Sequence, residues 1–193
     1  MCQFKSALVL KDRIFLPDYD NHNKMLHELG IEDNFTNASK VFVRVELSPA
    51  DGDIFSDVDG WELKVDQDIL PDWWNEAERL PKLKELVERW IQKHTIAGEY
   101  EVADGVWLAT GSATVTATGS AMVTAYDSAT VTATGSATVT AYDRAMVTAY
   151  DSATVIIPKR FATGGVIKLN DYSVCINHNT HTIRSEIQWK QGG

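Results

Sequence analysis

From 111 to 158 the chain reads GSATVTAT, GSAMVTAY, DSATVTAT, GSATVTAY, DRAMVTAY, DSATVIIP, six octads joined without insertion. The first position is Gly or Asp, and the second is Ser except at Arg144. Ala always holds the third position and Val the fifth. Thr holds the sixth until Ile156, and Thr or Tyr the eighth until Pro158. Repeats of this strictness are read before anything else, because they decide the architecture. Val and Thr in the middle of each unit are strand chemistry.

Two strand arrangements use this pattern, and register separates them. In an antiparallel meander with Gly119-Ser120 as the turn, Thr116 faces Val123 and Thr114 faces Ala125. Directly paired residues share a face, so neither face would be apolar. Parallel stacking places like above like: Ala113, Val115 and Ala117 point inward while Thr114, Thr116 and Thr118 point outward. Eight residues are too few to close a coil around a core. The eighth positions, Thr118, Tyr126, Thr134, Tyr142 and Tyr150, also carry a longer period, so two octads make one coil. Three coils then span 111–158, stacked at about 4.8 Å in a rod roughly 15 Å across. Gly or Asp at position one supplies the corner conformations that β-branched residues cannot adopt.

Outward from the octads, 102–110 and 156–169 extend the stack. Residues 166–176, with Asn170-Asp171 between two apolar runs, read as a hairpin, and 183–189 as a further strand. Open edges at the ends of such a rod must be capped or paired. Lys159, Arg160, Arg184, Glu186 and Lys190 suit a cap, and an uncapped end suits a homodimer.

The first hundred residues have a different grammar. Residues 6–10 and 14–16 read as two short strands. Asn21 or Asn23 caps a short helix that Gly30 ends. Val41, Val43, Val45 and Leu47 alternate with Phe42, Arg44 and Glu46 as a strand, and 61–65 is another. In 82–94, Leu83, Leu86, Val87, Trp90 and Ile91 fall on one helical face, with Pro81 at the start and His94 in the last turn. The fold expected is an α+β N-terminal domain (1–101), a parallel β-solenoid of octapeptide repeats (102–169), and a β-rich C-terminal cap or dimerisation segment (170–193).

Charge follows the same division. Of 193 residues, 27 are acidic and 18 basic, a net charge of −9. Residues 1–102 hold 21 acidic against 12 basic side chains, and 103–193 hold six of each. Such a surface repels nucleic acid, whose affinity comes from Lys and Arg, and fits a protein partner with a basic surface. Two cysteines, Cys2 and Cys175, make no disulfide framework. No apolar run reaches the length of a transmembrane helix, and Met1–Ser6 lacks the basic and apolar regions of a secretory signal. The sequence therefore predicts a cytoplasmic protein with no membrane contact.

Candidate sites are few. Cys2 behind Met1 is the one feature shared with N-terminal-nucleophile hydrolases, whose thiol attacks an amide with the α-amine as base. A buried or incidental cysteine is the simpler reading. Cys175, His178 and His181 have C-x2-H-x2-H spacing, which holds zinc if a fourth ligand joins, or forms a polar turn. Asp51, Asp53, Asp57 and Asp59 crowd a Gly-containing loop whose hard oxygens suggest calcium, but EF-hand order is not met. The cluster reads as a solvated acidic loop whose carboxylates are candidates for a basic partner. In 66–74, Asp66, Asp68 and Asp72 flank Trp73 and Trp74, a composition suited to a protein hot spot. Packing of at least one of these Trp under the Trp90 helix is expected. Thr114, Thr116, Thr130, Thr132, Thr138 and Thr140 form outward T-x-T pairs. They resemble those of insect-type ice-binding proteins, but Met122, Met146, Tyr126 and Tyr142 break the flat face. No catalytic constellation, cofactor motif or complete metal set is written in the sequence.

The opening Cys2-Gln3-Phe4-Lys5-Ser6-Ala7, the phrase from Val65 to Trp73, and the octads resemble a group of gut-bacterial and phage-borne proteins. In that group an N-terminal α+β domain precedes a short-repeat solenoid. The resemblance implies a phage or mobile-element setting, in which small acidic proteins often inhibit a host defence enzyme by binding it. The function expected is a non-enzymatic protein-binding module. An N-terminal-nucleophile amidase using Cys2 and a Thr-ladder surface for ice or glycan stand as the alternatives.

Overall fold

The computed structural model describes residues 4–158 and 165–178. The chain divides into two compact units, Met1–Lys93 and His94–Gly193.

The first unit is built on a four-stranded antiparallel sheet in the order β2-β1-β3-β4, formed by β1 (Lys5–Leu10), β2 (Ile14–Phe15), β3 (Phe42–Pro49) and β4 (Trp61–Val65). Both faces are covered, which is why β1 is buried at every position. Leu8, Leu10 and Phe42 pack with Met25 and Leu26 of α1 (His22–Glu28). Asn21 caps that helix by accepting from the Lys24 N–H. A single-turn helix, α2 (Phe35–Ala38), leads into β3.

Lys5, Ala7, Val9, Val43, Val45 and Leu47 share the opposite face by register. There the Lys5 ammonium, fully buried, lies 4.6 Å from the ring centroid of Trp90 and 2.9 Å from Asp20 Oδ1. Trp90 belongs to α3 (Glu76–Lys93), which buries Leu83, Val87 and Trp90. The helix thus begins before the Pro81 start read from the sequence. Asn75 Oδ1 accepts from the Glu78 N–H at 3.3 Å and caps the true first turn, leaving Pro81 inside the helix.

The second unit is a parallel β-solenoid of about five coils. Its strands alternate between two sheets. One holds β6 (Glu99–Val102), β8 (Thr114–Ala117), β10 (Thr130–Ala133), β12 (Met146–Ala149) and β14 (Val166–Leu169). The other holds β5 (Thr95–Ile96), β7 (Val106–Ala109), β9 (Met122–Ala125), β11 (Thr138–Ala141), β13 (Thr154–Ile157) and β15 (Val174–Asn177). Like stacks on like, as the octads predict: Val115 pairs with Val131 and Val131 with Val147, while Ala117, Ala133 and Ala149 follow the same column. These Val and Ala side chains form a continuous buried core, and each Val contributes about 1.5–3 kcal/mol.

The corners are held as firmly as the strands. Gly111, Gly119 and Gly135, with Asp127, Asp143, Asp151 and Asp171, all adopt positive φ between 48° and 65°. Each Asp also reaches back one coil. Asp127 Oδ2 accepts from the Gly111 N–H at 2.9 Å and from the Thr110 hydroxyl at 3.0 Å, which holds its carboxyl below the usual carboxylate range. Asp151 Oδ2 accepts from the Gly135 N–H at 3.0 Å in the same way. Tyr126 and Tyr142 stack face to face with centroids 4.5 Å apart.

The structure corrects the hairpin expected over 166–176. β14 pairs in parallel with β12 and β15 with β13, in different sheets, so Asn170-Asp171 is one more solenoid corner. The step between corner aspartates lengthens here from sixteen residues to twenty, and the extra length falls between β13 and β14. The C-terminal strand expected at 183–189, and the charged cap residues Lys159, Arg160, Arg184, Glu186 and Lys190, lie outside the described residues.

Candidate functional site

Segment 66–74 is bolted to the first unit by one amide. Gln67 Oε1 accepts from the Arg44 N–H at 2.9 Å, while its Nε2 donates to the carbonyls of Ala38, Phe42 and Ile69 at 3.2, 3.3 and 2.6 Å. Trp73 adds a second anchor, its indole N–H donating to Lys40 O at 2.7 Å with the Arg79 guanidinium 5.7 Å from its ring. Trp73 and Trp74 are both half-buried. Trp73 is thus fixed to the neighbouring turn, and Phe55 stacks on Trp90, with centroids 5.9 Å apart.

These anchors leave Asp68, Ile69, Leu70 and Asp72 facing solvent, with Ile69 38 % and Leu70 42 % exposed. Alongside runs α2, whose Ala38 carbonyl takes the Gln67 bond and whose Phe35 is 71 % exposed. Among the described residues of the first unit, Phe35, Ile69 and Leu70 are the large apolar side chains that remain exposed. Asp33, paired with Arg44, stands two residues before Phe35. An open depression of about 590 Å³ is lined by Asp33 together with Leu26, His27, Ile31 and Glu32 among others. Three exposed apolar groups thus lie on two segments joined by the Gln67–Ala38 hydrogen bond, with Asp33, Asp68 and Asp72 close to them in sequence. Asp68 and Asp72 belong to the Asp-Trp segment singled out in the sequence, whereas Phe35 was not a candidate there. The signal for Phe35 was an aromatic residue on a helix too short to have a buried face.

The other acidic cluster is tied into its own loop. Asp51 Oδ1 accepts from the Asp53 N–H, Asp53 Oδ1 from the Phe55 N–H, and Asp57 Oδ1 from the Asp59 N–H, each at 3.0 Å. Three of its four carboxylates therefore shape their own turns.

Register also brings together three residues that no motif links. His22 opens α1, Glu46 lies on β3, and Asp66 follows β4 with its N–H bonded to Arg44 O. One nitrogen of His22 and one carboxylate oxygen each from Glu46 and Asp66 lie within 4.8 Å of one another. His22 Nε2 donates to Val45 O at 3.2 Å, and Nδ1 stands 3.5 Å from Asp66 Oδ2. Among the described residues this is the one cluster of three such groups with a metal-holding geometry. Asp66 was legible as part of its segment. His22 and Glu46 were not, because only the strand register places them beside it.

The remaining candidates are dispersed. Cys2 and His181 lie outside the described residues. Cys175 stacks on Val155 and packs against the solenoid core, where burial pushes its thiol pKa up, while His178 is exposed. The Thr columns are in register but short. Thr114 and Thr130 give way to Met146, and Thr124 and Thr140 to Ile156. No helix among the described residues is long and apolar enough to cross a membrane. No protein-family model, curated protein or solved structure matches this chain.

Proposed function

We propose that this chain is a non-enzymatic protein-binding module. Its first unit docks a basic protein surface through Phe35, Ile69 and Leu70, rimmed by Asp33, Asp68 and Asp72, and the octad stack serves as a stiff spacer. The observation that carries this reading is the exposure of those three apolar side chains on segments that Gln67 and Trp73 hold rigid. Apolar groups held out from a rigid surface offer area without the entropic cost of ordering a loop on binding. The acidic rim adds on-rate and orientation toward a cationic face. A nucleic-acid-binding enzyme presents such a face, because phosphate and carboxylate ask for the same Lys and Arg partners. Inhibition by occupying that face is the mode of action this chemistry supports.

The test compares the wild-type chain with an Ile69→Ser/Leu70→Ser double variant and with Phe35→Ser, all shown to be folded by circular dichroism. Binding to a captured partner should weaken by about thirtyfold in the double variant, as for a truncated hot spot. It should also fall as salt rises toward a Debye length below about 8 Å, and competing duplex DNA should displace the chain. Equal capture by wild type and both variants removes this docking face.

A further inference from the structure

We infer that His22, Glu46 and Asp66 form a divalent-metal site whose fitting ion is Zn²⁺. The imidazole is prepared for it. His22 Nε2 donates to the Val45 carbonyl, so that nitrogen carries the ring proton of the neutral form and Nδ1 keeps its lone pair. A backbone carbonyl behind a ligating histidine is the usual device for fixing the tautomer and the ring orientation. Nδ1 then faces the Asp66 carboxylate at 3.5 Å. Tetrahedral zinc with bonds of about 2.0–2.1 Å needs ligand atoms about 3.3–3.4 Å apart. The His–Asp separation is close to that spacing, and an oxygen of Glu46 lies within 4.8 Å of both partners.

Exposure and charge agree. The His22 side chain is 11 % exposed and that of Asp66 46 %, so the ring is held by packing while one side stays open to solvent for ion entry and a water ligand. Two carboxylates and a neutral imidazole carry two negative charges, which a divalent ion balances. Glu46 is also paired with the ammonium of Lys64 at 3.7 Å, an exposed side chain that can leave at little cost. One nitrogen with two oxygens is a borderline ligand set. It suits zinc, while magnesium and calcium prefer oxygen alone. The ligands come from α1, β3 and the residue after β4, so a bound ion would cross-link three separate parts of the first unit.

The full chain, stripped with chelator and titrated with Zn²⁺, should bind one equivalent saturably and gain melting temperature. Co²⁺ should give the visible absorption of a tetrahedral or five-coordinate site. Glu46→Gln and Asp66→Asn keep side-chain shape and should melt like wild type without metal, yet each should weaken Zn²⁺ by about tenfold or more. His22→Ala should abolish the Co²⁺ spectrum. A Cys175→Ala/His178→Ala chain should bind as wild type does, separating this site from the C-terminal histidines. Absence of saturable Zn²⁺ binding, or binding that survives unchanged in Glu46→Gln and Asp66→Asn, overturns the assignment.

Discussion

A β-carbon added at residue 119 would lie 2.5 Å from the carbonyl oxygen of Ala103, the same oxygen that accepts from the Ser120 N–H at 3.0 Å. The corner cannot retreat without breaking that inter-coil bond. At Gly111, with φ +65°, no atom lies within 4 Å of the added carbon. Gly111→Asn should therefore be nearly neutral, since Asp127 and Asp143 hold the same conformation in the coils above. Gly111→Ala should cost about 1–2 kcal/mol for left-handed backbone alone. Gly119→Ala carries the same strain plus the clash and should cost roughly 2 kcal/mol more. Urea unfolding followed by far-UV circular dichroism measures all three, and equal costs for the two alanines would deny the close approach. Position one was legible as corner chemistry from its Gly/Asp alternation. Which glycine is obligatory was not, because that depends on a carbonyl sixteen residues away across the stack. The same limit hid His22 and Glu46, whose meeting depends on how β3 and β4 align with the start of α1.

At the scale of elements, strand direction was readable because each octad carries an unambiguous inside and outside. Only like-on-like pairing keeps Ala and Val on one face. Turn signals were less discriminating. Asn170-Asp171 between apolar runs is the same local chemistry in a hairpin and in a solenoid corner, and only the parallel partners β12 and β13 decide between them. Helix α3 shows the converse. Pro81 suggested a beginning, yet the first turn is set by Asn75, and Pro81 sits one turn and a half inside. It leaves the Ala77 carbonyl without its usual i+4 donor. The ring is solvent-exposed, so Pro81→Ala removes no core contact. Relative to Ala, an interior proline costs about 3 kcal/mol, offset by about 1 kcal/mol from its stiffening of the unfolded chain. Pro81→Ala should thus stabilise the first unit by roughly 1–2 kcal/mol in chemical denaturation. A loss of stability would mean that the proline supports the 75–80 turn in a way the helix geometry does not convey.

For the whole molecule, the solenoid's regularity makes its stability a sum over coils and the interfaces between them. The octads announce three coils. The strands outside them, β5 to β7 at one end and β14–β15 at the other, lack the repeat and were harder to read. Glu99, Tyr100 and Glu101 resemble surface loop in sequence, yet they stack in register on Thr114, Val115 and Thr116. Excising 127–142 removes one whole coil and joins Tyr126 to Asp143. The excision lets β8 stack on β12, with Val115 over Val147 and Ala117 over Ala149, and β9 on β13, with Val123 over Val155 and Ala125 against Ile157 as Ala141 is now. Gly111 would then meet Asp143, whose positive φ already fits the corner, and Asp143 would take over the cap that Asp127 gives the Gly111 N–H. The shortened chain should stay folded and monodisperse by size exclusion, keep its far-UV strand signature, and melt below the parent because one interface is gone. Excising 127–138 instead sets corner residues against strand positions and should abolish the cooperative transition. If both excisions behave alike, the chain does not depend on coil register, and the parallel stack loses its claim as the organising element of residues 94–178.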